Sequence, residues 1–531
     1  MRIFTARDRG VRYHAFLPHY PMDTFVINRL KILLLLMVLA ATAPVQSAAG
    51  HGNGIQWYPG TVRQAFAEAK KSGKPVFLYW GAVWCPPCNQ LKATLFKNLA
   101  FIQKTRLFMP VYLDGDTEAA QKLGEQFGVL GYPTLMLFTP EGEEITRLPG
   151  GMSLDLYPQM LDLALAKTRP VATLVRDILD NGRNPSNEEW HMLAYYSWEQ
   201  DGGKALGERD LAGVLKILSD RVPANLPKEK ARLSAQYLSA LAAREEPPGK
   251  REAGDAVKRL QQLLASREFS RDNFSFVIHE PDVLIPRITQ AGSKDRKMLM
   301  SAWKQALDLL QQDSSLGPAQ KLSVYAGRIH WLKTAGKKVP NDLRKEIRQA
   351  VSQARSKLTD GHERIAVNYA AYGLLKASGQ LALAEQLINE EMAAGSNNQY
   401  WMLVLADLAA ESGDEAEALN WYAKAWETAT GAATKIQWGS YYIRQLTEQT
   451  PDDDAKIIEV SKELFSQLEK QKAPFHGRSK RALERVFKAL NAWAQVSSPA
   501  ELIEIKGAFI NTCLPFGKEA MERCEFIMKA S

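Results

Sequence analysis

The feature that most restricts the fold is a change of character at Arg169-Pro170. Before it, short apolar runs alternate with amphipathic stretches. After it, strand-like runs nearly vanish and amphipathic helical segments follow one another to the end. At 531 residues the chain is too long for one core, so two or more domains are expected. The pattern predicts an α/β domain over residues 50–168, a mixed sheet flanked by helices, and a large all-α domain over residues 169–531.

Residues 1–49 read as a leader. Arg29 and Lys31 precede the apolar run Ile32–Ala40, and Ser47 and Ala49 fit a small-x-small cleavage site. A basic start, a short apolar stretch and a small-residue exit describe a secretory signal peptide, with Met22 as its more usual start. The run is shorter than the ~20 residues of a spanning helix, so contact with a membrane is expected only if the signal stays uncleaved. No Cys follows the run, which argues against a lipid anchor there. Six of the 67 basic and two of the 59 acidic residues lie in this segment, so the net charge of +8 falls to +4 without it. Elsewhere Lys and Arg alternate with Glu and Asp, with no basic stripe to follow a phosphate backbone; nucleic acid is not an expected partner.

Within residues 50–168 the elements follow in the order α-β-α-β-α-β-β-α. Thr61–Ser72 sets Val62, Ala65, Phe66 and Ala69 on one helical face and stops at Gly73. Pro75–Trp80 is a run of β-formers, and Leu91 and Leu95 sit four apart on a second helix. Phe108–Leu113 reads as a strand and Thr117–Phe127 as a helix with Ala120, Leu123 and Phe127 inward. Thr134–Phe138 and Glu144–Leu148 flank a Thr-Pro-Glu-Gly turn, and Ser153–Lys167 closes the unit as a helix. Further on, Leu374, Ser378-Gly379 and Ala384 recur 34 residues later as Leu408, Ser412-Gly413 and Ala418. That period is the tetratricopeptide spacing, in a degenerate form with Val404 where a leucine is expected. Trp198, Trp331, Trp401, Trp421, Trp426 and Trp438 have spacings usual for helix cores.

Trp84-Cys85-Pro86-Pro87-Cys88 falls between the first strand and the second helix, and Gly131-Tyr132-Pro133-Thr134 opens the third strand. This combination resembles the thioredoxin superfamily over about 115 residues. The resemblance implies thiol–disulfide exchange with protein thiols and disulfides, no cofactor, and an electron donor or acceptor that the sequence does not identify. It implies that Pro133 is a cis-proline facing the cysteines, and that Tyr132 offers its backbone to a bound peptide. An isolated X-Pro bond would favour trans. Trp84 either shapes the docking surface or covers the core.

The physical chemistry agrees with that assignment. A thiolate, not a thiol, attacks a disulfide, and a cysteine at a helix N-terminus has its pKa lowered by unsatisfied N–H groups. Cys85 takes that place as nucleophile; Cys88, one turn on, resolves the mixed disulfide. Pro86 and Pro87 are tolerated in a first turn but cannot donate to the sulfur, which leaves the Cys88 and Asn89 N–H groups. A moderately reducing couple is therefore expected. The sequence also departs from the superfamily: Tyr79 stands where a buried carboxylate is usual, and the associated lysine aligns near Pro110. Slow resolution by Cys88 is the consequence.

The other two cysteines, Cys513 and Cys524, bracket a segment that opens with an expected turn at Leu514–Gly517. They are read as a structural disulfide, with an electron relay to Cys85 and Cys88 as the alternative. A zinc site would need four ligands, and a ten-residue spacing in the second pair does not suit one, so no metal is expected. Two functions remain open: an exported oxidoreductase whose helical domain holds the client, or a helical-repeat adaptor with a slow or regulatory redox pair.

Overall fold

The computed structural model describes residues 54–395, 398–495 and 499–530. The expected leader, with its apolar run, lies outside them. No helix among the described residues is long and apolar enough to cross a membrane.

The first domain contains a four-stranded sheet in the order β2-β1-β3-β4, built from β1 (Val76–Gly81), β2 (Met109–Asp114), β3 (Thr134–Phe138) and β4 (Glu144–Leu148). β1 runs parallel to β2 and antiparallel to β3, and β3 and β4 form a hairpin. The helices of this unit are α1 (Val62–Ser72), α2 (Pro86–Ala93), α3 (Leu99–Thr105), α4 (Glu118–Phe127) and α5 (Leu156–Leu165). Thr61 and Gln64 cap α1 reciprocally, and Thr117 caps α4. Leu91 and Leu95, read as one helix, are divided: α2 ends at Ala93, and Leu95 begins a single 3₁₀ turn, yet both stay buried.

β1 reads as a continuous apolar run because both its faces are covered. Phe77 and Tyr79 point to one side, among Leu91, Phe101, Leu135 and Leu137. Val76, Leu78 and Trp80 point to the other, against Val62, Ala65, Ala69 and Ala120 from α1 and α4. The first of these cores runs without a break past Arg169. Tyr157, Met160 and Leu161 of α5 share it with Val171, Leu174 and Trp190. Buried Arg147 on β4 ties the junction, donating to the Gly128 and Gln200 carbonyls at 3.0 Å each.

From Val171 to Met528 the described chain forms twenty α-helices, one 3₁₀ turn and no strand. The two repeat copies are helical hairpins, Gly361–Ala377 with Leu381–Ala393 and Asn398–Ser412 with Glu415–Thr428. Gly379 and Gly413 turn between them with φ of 75° and 82°, and Ala384 and Ala418 are fully buried where the helices meet. Trp198, Trp401, Trp426 and Trp438 are core residues, while Trp331 and Trp421 pack half-buried against the core. The last two helices, Pro499–Cys513 and Lys518–Met528, are joined by the Cys513–Cys524 disulfide.

Candidate active site

Cys85 is the N-cap of α2, in extended backbone conformation, and Pro86 and Pro87 fill the first helical positions. That geometry brings Cys88, one turn on, within a Cα–Cα distance of 5.3 Å, and the two sulfurs are joined as a disulfide. The Cys88 N–H donates to Cys85 Sγ at 3.2 Å. The Asn89 N–H, expected to do the same, instead donates to the Cys85 carbonyl at 3.0 Å. Helix propagation claims it, so Cys88 supplies the backbone donor to the outer sulfur. Cys85 is 3% exposed and Cys88 is fully buried.

The Tyr132–Pro133 peptide bond is cis, and the Tyr132 carbonyl oxygen lies 3.7 Å from Cys85 Sγ. The Tyr132 hydroxyl donates to the Gly115 carbonyl at 3.1 Å and accepts from Gln121 Nε2 at 2.8 Å. The loop before β3 is thereby fastened to the start of α4. Cys513 and Cys524 are not part of this arrangement: both are fully buried beside Phe509 and Ile527 in the core of the C-terminal helices.

On the inner side of the pair, Tyr79 is enclosed by Trp57, Phe96 and Tyr112. Its hydroxyl has no hydrogen-bond partner among the described residues. Burial, with Tyr112 and Asp114 nearby, holds the phenol protonated far above its ordinary range. On the neighbouring strand Tyr112 lies opposite Tyr79, and Pro110 lies opposite Phe77. Two ionisable residues that the sequence reading missed lie here. Lys92, one turn beyond Cys88 on α2, sits 5.9 Å over the Tyr112 ring, and burial lowers its pKa. Asp114 ends β2, and burial raises its carboxyl pKa. The four-residue spacing from Cys88 to Lys92 was the available clue to the first.

The outer side is lined by the helical region. The Trp84 indole N–H donates to Asp116 Oδ2 at 2.9 Å. Its ring stacks on Tyr400 with centroids 6.2 Å apart, and meets Trp438 edge-on at 6.4 Å. The Arg478 guanidinium lies 5.0 Å over Trp84 and 5.5 Å over Tyr132, and also pairs with Asp116. The Thr434 N–H donates to Asp116 Oδ1 at 3.2 Å, and its hydroxyl donates to the same oxygen. Asn89 spends its amide donors on the Val83 and Cys85 carbonyls, so its Oδ1 accepts from His362 Nδ1 at 2.7 Å. The contacts from the helical region to this site span more than 270 residues of sequence, beyond the reach of any local pattern.

A thioredoxin-type sheet with a Cys-x-x-Cys pair at a helix mouth, opposite a cis-proline, defines the class of this domain. The family model described as a thioredoxin-like domain matches residues 62–165. Thioredoxin H4 of Arabidopsis thaliana is 31% identical over 94 residues, covering 18% of this chain and 75% of that protein. The chain belongs to the thioredoxin superfamily through this domain. It also resembles, at 35% identity over 85 residues, the protein disulfide-isomerase erp38 of Neurospora crassa, matching 16% of this chain and 23% of the isomerase. The thiol:disulfide interchange protein DsbD of Yersinia pestis is 31% identical over 153 residues, 26% of each chain. The match thus spans about a quarter of the length of these two larger relatives.

Proposed function

We propose that this protein is an exported thiol–disulfide oxidoreductase that acts on protein disulfides through Cys85 and Cys88. The observation that carries the reading is the outer sulfur at the N-cap of α2, accepting from the Cys88 N–H and set beside the Tyr132 carbonyl. In the reduced protein the Cys85 thiolate attacks one sulfur of a client disulfide. A Cys85–client bond forms, and the other client sulfur leaves as a thiolate. Cys88, deprotonated, then attacks Cys85 Sγ, re-forms the internal disulfide and releases the second client thiolate. Two electrons pass to the client, whose thiolates take up protons. A partner dithiol must return those two electrons; run backwards, the same steps oxidise a client.

Tyr132 and Pro133 border the sulfur as the peptide-docking edge, with Trp84 beside them. Pro86 and Pro87 deny the thiolate two N–H donors, so the couple is moderately reducing. Equilibration with glutathione checks this: a potential near ~−120 mV, that of a strong oxidant, would overturn it. Export is supported by the leader pattern and by the cysteine pairing, since no cysteine among the described residues is free. The helical region serves to hold a client or partner, and Cys513–Cys524 serves as a staple between the last two helices.

The test is Cys88→Ser in the full chain. Mixed disulfides through Cys85 are expected to accumulate with client proteins. If none form and the helical region still binds its partner, the protein is instead a helical-repeat adaptor with a regulatory sulfur pair.

A further inference from the structure

If Cys85 meets clients across the face made by Trp84, Tyr132 and Pro133, that face should lie open. It does not. The Asn398–Ser412 helix presents Tyr400, the Ala432–Gln449 helix presents Trp438, and the Gly477–Trp493 helix presents Arg478, together forming a slot around Trp84. Asp116 is the fastening beneath it. One carboxylate accepts from the Trp84 indole, the Thr434 backbone and hydroxyl, and the Arg478 guanidinium. Arg478 also donates to Thr434 Oγ1 at 3.0 Å. Its Nε and Nη1 are buried with no acceptor among the described residues, so that part of the guanidinium is committed to the two aromatic faces.

The backbone approaches closely at the same place. A Cβ on Gly431 would lie 2.7 Å from Asp116 Cγ, and one on Gly477 would lie 2.7 Å from the Gln121 carbonyl oxygen. Both glycines have positive φ. On the next side of the motif, the Gly361–Ala377 helix packs along α2 through His362 and Asn89. With these contacts in place Cys85 is only 3% exposed.

We propose that the helical region is an intrachain competitor for the docking face: the Tyr400–Trp438–Arg478 slot holds Trp84, and a client reaches Cys85 only when the slot lets go. The inference rests on the reading of Cys85 as nucleophile, and it identifies how that nucleophile is controlled. The closed arrangement is an equilibrium state whose opening sets the rate of sulfur chemistry. It also distinguishes the client: a chain that supplies its own aromatic or acidic group, to Arg478 or to the slot, competes best for it.

The test uses the oxidised full-length protein and dithiothreitol as the probe, with the Cys85–Cys88 peptide followed by mass spectrometry. In the unaltered protein, the reduction rate should level off as dithiothreitol is raised, because opening becomes limiting. Thr434→Val removes the hydroxyl's bonds to the Asp116 carboxylate and from Arg478 with little change of shape, and should raise that plateau about tenfold. Arg478→Ala should raise it further. If Arg478→Ala unfolds the protein, as circular dichroism would show, Thr434→Val decides alone. Rates that climb linearly with dithiothreitol and coincide in all folded variants would overturn the closure. A second arm places Cys88→Ser in both backgrounds. Clients trapped equally with and without Arg478→Ala, with coincident reduction rates, would leave the oxidoreductase standing and remove the closure. Raised rates with no client trapped in either background would keep the closure and remove the oxidoreductase.

Discussion

The two disulfides of this protein are made of the same atoms and stand in opposite circumstances. Cys85–Cys88 is three residues apart in sequence, and its outer sulfur sits at a helix mouth, on the seam between the redox domain and the helical region. Cys513–Cys524 is eleven residues apart, joins two helices across a turn, and has both sulfurs sealed among side chains of the C-terminal helices. A sulfur reacts when its thiolate is stabilised and an attacking group can line up with the bond. The first pair has the stabilisation built in locally and the access controlled from far away. The second has no access without unfolding the hairpin. Reactivity is therefore a property of surroundings, and a relay between the pairs would require the second to open.

The largest test of this contrast is on activity. Cys85→Ser should abolish reduction of client disulfides, while the Cys513→Ser/Cys524→Ser double variant retains it to within about twofold. A double variant as inactive as Cys85→Ser would restore the relay. Next comes stability. Loss of the Cys513–Cys524 loop closure should cost about 3 kcal/mol, read as a lower urea midpoint of the transition that reports the last helices. A smaller difference is expected in reduction of the wild-type protein. Cys85–Cys88 should open to mild dithiothreitol at least ~10 times faster than Cys513–Cys524, since exchange requires access. Mass spectrometry of the alkylated peptides measures it, and equal rates would show that the two environments do not differ as described.

The smallest effect is on pH, and it addresses the seam alone. Burial lowers the pKa of His362, with Lys92 and Lys97 adding to the effect and Asp360 opposing it. Burial also lowers that of His476, where Glu125 opposes and Arg523 and Lys122 reinforce. Both imidazoles prefer to be neutral in the closed structure. Their contribution is complete above the ordinary imidazole value, about 6.5, and is lost as the pH falls through the lower folded values. Glu125 acts with the same sign. Burial pushes its pKa up, but bonds from Arg523 and His476 outweigh it and the net shift is downward, so its contribution also disappears with acid. Hydrogen-exchange protection of α2 and of residues 472–478, corrected for intrinsic rates, should fall a few-fold between about pH 7.5 and about pH 5.5. The His362→Gln/His476→Gln variant should flatten that profile; an unchanged profile would remove the histidines from the seam's balance.

What the sequence determined by itself is local. The run Val76–Trp80, the caps at Thr61 and Thr117, and the turn at Gly142 are short-range patterns, and the strands, α1 and α4 follow them to within a residue, whereas α5 begins three residues later than expected and α3 was not expected at all. The placement of Cys85 and Cys88 is equally local, because a helix's first turn sets the distance between them. The division of the second helix at Ala93 was not legible, because Leu91 and Leu95 keep a helical spacing while the backbone between them breaks. Which residue of β2 lies opposite Tyr79 was not legible either, since register between parallel strands depends on a crossover, not on either strand alone. The tertiary structure decided the rest. Trp84, left between two roles by its own sequence, is held by Asp116, Tyr400, Trp438 and Arg478. Those partners lie up to about 400 residues from it, and no periodicity in a sequence encodes contacts that exist only once separate helices have packed.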